Sequence, residues 1–298
     1  MRPLAGPNDV IPFTYLEPSD LDEALALLAQ HGDEAKLIAG GTGLVNFMKQ
    51  RLVRPSFVIG LRALKSLAKV EEESGVRIGA LATLQSLATC ETVRRSAPLL
   101  ADACGHVSTV RIRSMATIGG AMAHADPNLD TPPALMAMDG QIVARSQRGQ
   151  RIIPTDRFFT GYYETVLAQD EIVTEILIPT QPAGSGTAFL KFLPATRDDY
   201  ATVSVAARVA LNDNGTVAEA RVALGAAAMV PIRARVAEAI LAGKAADEKM
   251  FQEAASVVPD AIEPISDFRG SAEYKRKMAV VHVRRALAEA CAKARRPV

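Results

Sequence analysis

Two short glycine turns constrain this chain more than any other feature. Gly40-Gly41-Thr42-Gly43 follows Lys36-Leu37-Ile38-Ala39, and Gly119-Gly120 follows Ala116-Thr117-Ile118. The second continues through Ala123-His124-Ala125-Asp126-Pro127-Asn128-Leu129-Asp130. Glycine in such a turn readily takes positive φ and lets a ligand approach the backbone. Consecutive N–H groups turned to one side form an anion-binding nest. One nest suits a single phosphate, whereas two far apart in sequence point to a diphosphate-bearing cofactor gripped from two sides. The same residues also read as an ordinary strand–helix turn and a bulge between strands. Neither segment carries GxGxxG or the Lys-Ser/Thr pair of a P-loop, which argues against a Rossmann site and an NTPase.

Composition narrows the chemistry. The 298 residues suggest about two domains, and an apolar fraction of 49% supplies ample core. A net charge of +1, with basic residues gathered only at Lys293-Ala294-Arg295-Arg296, leaves no footprint for nucleic acid. That end reads as a helix C-terminus favoured by the dipole. The segment Met1-Arg2-Pro3-Leu4-Ala5-Gly6-Pro7 has no secretory pattern, and no apolar run is long enough for a membrane span. A cytoplasmic location is expected. Cys90, Cys104 and Cys291 are too few for a four-thiolate iron–sulfur cluster and read as buried free thiols. No metal-ligand spacing, paired carboxylates or nucleophile–base order appears. Catalytic and metal residues are therefore not assigned, and redox chemistry is left to an organic cofactor.

Along the chain, Ser19-Asp20-Leu21-Asp22 resembles a capping box, opening a helix with Leu21, Leu25 and Leu28 on one face and a C-cap at His31-Gly32. A strand over 36–39 delivers the first glycine turn to a short helix over 44–50, and 57–61 reads as another strand. A second lobe follows, with a strand at 76–78, helices after Thr83 and over 97–104, and a helix over 131–138 stopped by Asp139-Gly140. A hairpin around Arg148-Gly149 and a strand over 172–178 ended by Pro179 complete it. Residues 181–186 are the clearest linker. Beyond it, 188–193, 201–211 and 216–224 read as three antiparallel strands, the last two joined by Asp213-Asn214-Gly215. Helices are expected at about 233–242, 247–257 and 271–294.

The full text of these segments resembles one family. Lys36-Leu37-Ile38-Ala39-Gly40-Gly41-Thr42-Gly43-Leu44, then Met48-Lys49, is similar to the first flavin loop of the FAD-binding subunits of molybdenum hydroxylases. Arg111-Ile112-Arg113-Ser114 and Thr117-Ile118-Gly119-Gly120, then Pro127 and Asp130, resemble the second. The likeness continues through Phe158-Phe159-Thr160-Gly161, Thr165-Val166-Leu167, Asp170-Glu171-Ile172-Val173, Ile176-Leu177-Ile178-Pro179 and Ser271-Ala272-Glu273-Tyr274-Lys275-Arg276-Lys277-Met278. In pattern it is nearest the medium subunits of the carbon monoxide dehydrogenase type, with the xanthine dehydrogenase flavin domain more distant.

This resemblance implies an α+β fold: a two-lobed FAD-binding domain of the vanillyl-alcohol-oxidase/PCMH type over 1–180, with lobes of about 1–60 and 61–180. A C-terminal domain over 187–298 would carry a three-stranded antiparallel sheet with helices. It implies that Leu37, Ile38, Ala39, Gly40, Gly41, Thr42, Gly43 and Leu44 wrap the diphosphate, chiefly through N–H groups and the Thr42 hydroxyl. Thr117, Ile118, Gly119, Gly120 and Ala121 would contact the diphosphate and ribityl region from the other lobe. Asp130 matches an FAD-contacting aspartate and equally suits a helix N-cap. Val173, Lys191 and Tyr200 match positions lining the isoalloxazine, with Lys191 offering charge and Tyr200 covering a ring face. By residue type alone they are a strand core residue, a solvated lysine and a core tyrosine. His124 reads as either a polar loop residue or a functional one.

Two positions depart from the family. Ala121 stands where an asparagine is usual, leaving a backbone N–H donor in place of a side-chain amide, and Gly43 stands where relatives often carry a side chain. The expected function is an FAD-carrying electron-transfer subunit of a multi-subunit molybdenum hydroxylase. A small subunit with two [2Fe–2S] clusters would feed it, a large molybdenum-cofactor subunit would oxidise substrate, and the assembly would be a dimer of heterotrimers. A stand-alone FAD reductase and a flavin-free structural subunit are the alternatives.

Overall fold

The structure is a computed structural model describing residues 10–193, 196 and 199–295. The expectations at Met1 to Pro7 and at Arg296 lie outside the described residues. The first lobe contains β1 (Thr14–Leu16), α1 (Leu21–His31), β2 (Ala35–Ile38), α2 (Leu44–Lys49) and β3 (Phe57–Gly60). Its sheet runs β1-β3-β2, with β3 parallel to both neighbours. Ala24, Leu25 and Leu28 of α1 pack with Ala35 and Ile59 into its small core. The cap of α1 is shifted by one residue from the expected box. Asp20 accepts from the N–H of Glu23 at 2.8 Å, while the longer Glu23 side chain accepts from the Ser19 N–H at 2.7 Å.

The second lobe begins with β4 (Val70–Glu72) and β5 (Gly75–Gly79). Six short helices follow: α3 (Leu84–Thr89), α4 (Glu91–Ser96), α5 (Pro98–His106), α6 (Val110–Arg113), α7 (Ile118–His124) and α8 (Thr131–Ala137). The hairpin β6 (Gln141–Ser146) and β7 (Gly149–Pro154), the small pair β8 (Phe159–Gly161) and β9 (Glu164–Thr165), and β10 (Ile172–Pro179) complete it. The main sheet is antiparallel in the order β4-β5-β10-β6-β7. In β10 the residues Ile172, Thr174, Ile176 and Ile178 are buried while Glu175 and Leu177 are half-buried, the period-two pattern of a half-buried strand. Val173 alone departs from it, because it packs into the second-lobe core.

The C-terminal part holds the three expected strands as β11 (Ser185–Phe192), β12 (Val203–Leu211) and β13 (Val217–Gly225), with β14 (Ile232–Arg233) added at the edge. Helices α9 (Arg235–Leu241), α10 (Glu248–Ser256) and α11 (Ala272–Ala294) follow. One sheet face carries α11, while α8 and α5 of the second lobe lie on the other. This explains why Val203 to Ala210 are all buried, a continuous run rather than an alternation. At this seam Arg208, Arg221 and Arg233 converge on Asp139 just beyond α8, with contacts of 2.8, 3.1 and 2.9 Å. Cys104 and Cys291 are buried free thiols, but Cys90, at the junction of α3 and α4, is only half-buried.

Candidate functional site

A cavity of about 730 Å³ opens where the two lobes and the C-terminal sheet meet. The first glycine turn leaves β2 at its C-terminal end, where a parallel sheet delivers backbone to a ligand, and enters α2. Gly41 has φ +73°, the left-handed region that a side chain disfavours. Val45 donates to the Gly41 carbonyl at 3.0 Å, so the N–H groups of residues 42–44 precede the first helical bond and have no partner within α2. They are the donors this turn can present to an anion. A Cβ on Gly40 would collide with the backbone carbonyl of Met115, so glycine there lets the second lobe approach.

The second glycine pair works differently from the expected nest. Gly119 and Gly120 form the first turn of α7, and neither is in the positive-φ region. Ile118 and Gly119 donate to the carbonyls of Ala82 and Ala80 at 3.0 and 2.8 Å. Gly120 donates to the Thr117 hydroxyl at 3.1 Å, and Ala121 donates to the Thr117 carbonyl at 2.9 Å. These N–H groups are already used, so the donor expected to survive at Ala121 is not available. Glycine at 119 serves close packing within the lobe: a Cβ there would strike Ala80. Ile118 turns into the second-lobe core and lies outside the cavity wall. The other residues expected from the resemblance all line the cavity.

Asp130 does not cap α8 with its side chain. Its Oδ2 instead lies 2.7 Å from Lys191 Nζ, which also donates to the His106 carbonyl at 3.0 Å. Asp130 Oδ1 is buried without a hydrogen-bond partner. Burial pushes the Asp130 carboxyl up to about 6, against the opposing pull of Lys191. Lys191 is therefore a buried, paired cation rather than a solvated one. Val173 reaches the wall beside a register shift between β10 and β6. Tyr200 stands at the mouth, 41% exposed, and not in a core.

Phe47 and Tyr163 on the wall have no signal in the sequence, and they flank His124, which the sequence leaves between a loop and a functional residue. The His124 ring, in the last turn of α7, lies 5.0 Å from the Phe47 ring and 5.3 Å from that of Tyr163. A Cβ on Gly43 would fall 2.9 Å from the His124 ring, so the missing side chain at 43 is the space the imidazole occupies. Burial lowers the His124 pKa and favours the neutral ring. The Tyr163 hydroxyl donates to Asp126 at 3.3 Å, which also accepts from Asn128. These residues come from three segments that only tertiary packing unites.

Residues 11–181 match the family described as FAD binding domain in molybdopterin dehydrogenase, and residues 188–290 match the CO dehydrogenase flavoprotein C-terminal domain. The chain belongs to this flavoprotein family. The flavoprotein is 36% identical to the carbon monoxide dehydrogenase medium chain of Hydrogenophaga pseudoflava, over 94% of this chain and 98% of that one. It is 32% identical to the 6-hydroxypseudooxynicotine dehydrogenase complex subunit alpha of Paenarthrobacter nicotinovorans, over 95% and 96%. Carbon monoxide dehydrogenase from H. pseudoflava lacking its Mo-pyranopterin moiety superposes with a TM-score of 0.93 at 38% identity, covering 96% of this chain and 99% of that one.

The flavoprotein's cofactor is FAD, and its role is electron transfer within an oxidoreductase. The cavity suits that cofactor. It offers N–H donors without helical partners at 42–44 and an orphaned carboxylate oxygen on Asp130. Among the described residues, no helix is long and apolar enough to cross a membrane.

Proposed function

We propose that this flavoprotein binds FAD across the cavity, with the diphosphate at residues 42–44 and the isoalloxazine toward Val173, Lys191 and Tyr200. The unbonded N–H groups of the first turn carry this reading, because the second turn has spent its own. Thr42 adds a hydroxyl, Gly119 and Gly120 line the wall, and Asp130 Oδ1 accepts a hydrogen bond from the cofactor. The FAD-binding unit spans 1–180 and the C-terminal unit 187–298; of the linker expected at 181–186, Ser185 and Gly186 already pair with β12 as the start of β11. When bound, FAD accepts electrons from one partner and gives them to another.

The electrons come from a small subunit with two [2Fe–2S] clusters, itself supplied by a large molybdenum-cofactor subunit, in a cytoplasmic dimer of heterotrimers. The medium-chain relatives support the division into small and large partner subunits, as does the supply of only three cysteines here. Stopped-flow bleaching tests it. Organic substrate should reduce the flavin only after the chain is reassembled with its partners. Prompt bleaching of the lone chain would support a stand-alone reductase, and a folded chain that takes up no FAD would support a structural subunit.

A further inference from the structure

Tyr200 reaches the cavity mouth from an irregular segment after β11, with much of its ring exposed. The side chain interacts with Asp126, the carboxylate that the Tyr163 hydroxyl also meets, which ties the tip of the ring but not its face. A neighbouring turn supplies the restraint on the face. Asp267 and Gly270 exchange backbone hydrogen bonds of 3.1 Å, and Arg269 N–H donates to Asp267 Oδ1 at 2.9 Å. Lys275 in the first turn of α11 anchors Asp267 at 2.8 Å.

This turn aims Arg269 at Tyr200. The guanidinium carbon lies 5.5 Å from the Tyr200 ring centroid and 4.1 Å from that of Phe268. One guanidinium nitrogen donates to Asp199 Oδ1 at 2.7 Å, and the same oxygen accepts the Tyr200 N–H at 2.6 Å. Thr202 donates its hydroxyl to the Arg269 carbonyl at 3.2 Å. Backbone and ring on both sides of Tyr200 are thus tied to one residue. Arg269 Nε is buried and makes no hydrogen bond. A guanidinium placed for hydrogen bonding alone would not leave that donor stranded. Stacking against rings is what the placement achieves, and a planar, permanently charged group suits it. Phe268 is 83% exposed, and its contact with the guanidinium is the packing it makes here.

We propose that Arg269 is a positioning residue that holds the Tyr200 ring over the cavity mouth and so sets how far bound flavin is open to solvent and to an external acceptor. This rests on the reading that Tyr200 covers the isoalloxazine. Lysine would keep the charge but lose the planar stack.

The test uses the full chain loaded with FAD, freed of unbound flavin, with iodide quenching of the bound flavin's emission as the readout. Tyr200→Leu should increase quenching. Arg269→Leu should increase it in the same direction by about twofold to fivefold, the population shift expected on losing one exposed cation–π contact. Arg269→Lys should fall between wild type and Arg269→Leu, and the double variant should match Tyr200→Leu alone. Wild-type quenching in both Arg269 variants, with increased quenching in Tyr200→Leu, would overturn the positioning role while sparing the site reading. Full additivity in the double variant would overturn it as well. Wild-type quenching in Tyr200→Leu would overturn the placement of Tyr200 over the flavin, and the proposal with it. If Arg269→Leu does not fold, the Arg269→Lys comparison decides.

Discussion

Lys191 Nζ lies 2.7 Å from Asp130 Oδ2, and the two side chains are only 2% and 3% exposed. The pair fastens β11 of the C-terminal sheet to the start of α8, forming part of the cavity wall. Two charges so far from water are costly to separate. Lys191→Met should therefore lower the unfolding free energy of the FAD-free chain by about 3–5 kcal/mol, and adding Asp130→Leu should recover most of it. Urea unfolding of the three variants measures this. A double variant worse than the sum of its parts would contradict it.

The same pair sets a pH dependence. Burial pushes Asp130 up to about 6 in the fold from its ordinary 3.8, so folding favours the protonated acid. Its contribution to stability is full below the unfolded value and is lost as pH rises through the folded one. Wild type should lose stability relative to Asp130→Asn between about pH 4 and about pH 7. Parallel profiles, or a relative gain by wild type, would show that burial does not dominate this carboxyl.

The two glycine turns should respond differently to alanine. At Gly41 the positive φ makes any side chain costly, by about 1–2 kcal/mol, and displaces the N–H groups that follow. At Gly120 the backbone is helical. Alanine there gains about 1 kcal/mol of helix propensity. A new Cβ 2.8 Å from the Thr117 hydroxyl disturbs a cap of similar worth, about 1 kcal/mol. Gly41→Ala should thus weaken FAD binding and stability together, while Gly120→Ala stays near wild type in stability. Flavin fluorescence titrations and thermal melts decide, and the opposite ranking would sink the assignment of donors to the first turn.

Gly43 and His124 should couple. Gly43→Ala forces the imidazole from its place between Phe47 and Tyr163, whereas His124→Ala opens the space that a Cβ at 43 needs. The double variant should bind FAD better than the two single losses combined, with a coupling of about 0.5–3 kcal/mol. Simple additivity would mean that the imidazole yields without cost.

Much of this site was legible because it is local. A strand, three glycines and a short helix in one stretch define the first turn, and backbone geometry alone makes it a donor site. The helix at Gly119-Gly120 was hidden because glycine is a poor helix former. Packing against Ala80 and bonds to the carbonyls of Ala80 and Ala82 override that preference. Asp130 and Lys191 could each be singled out, but their pairing across 61 positions depends on how the C-terminal sheet docks. The Phe47, His124 and Tyr163 cluster and the Arg269 contact with Tyr200 have no sequence period, so only the fold brings them together. The two-residue β14 is too short to leave a pattern.

Hydrogen exchange of the backbone amides with and without FAD tests the central claim most directly. The donors at 42–44 have no helical partner, whereas those of residues 118–121 are already bonded within the protein. FAD should strongly protect residues 42–44 and change residues 118–121 little. Protection at 118–121 with none at 42–44, or no retained FAD at all, would contradict the account.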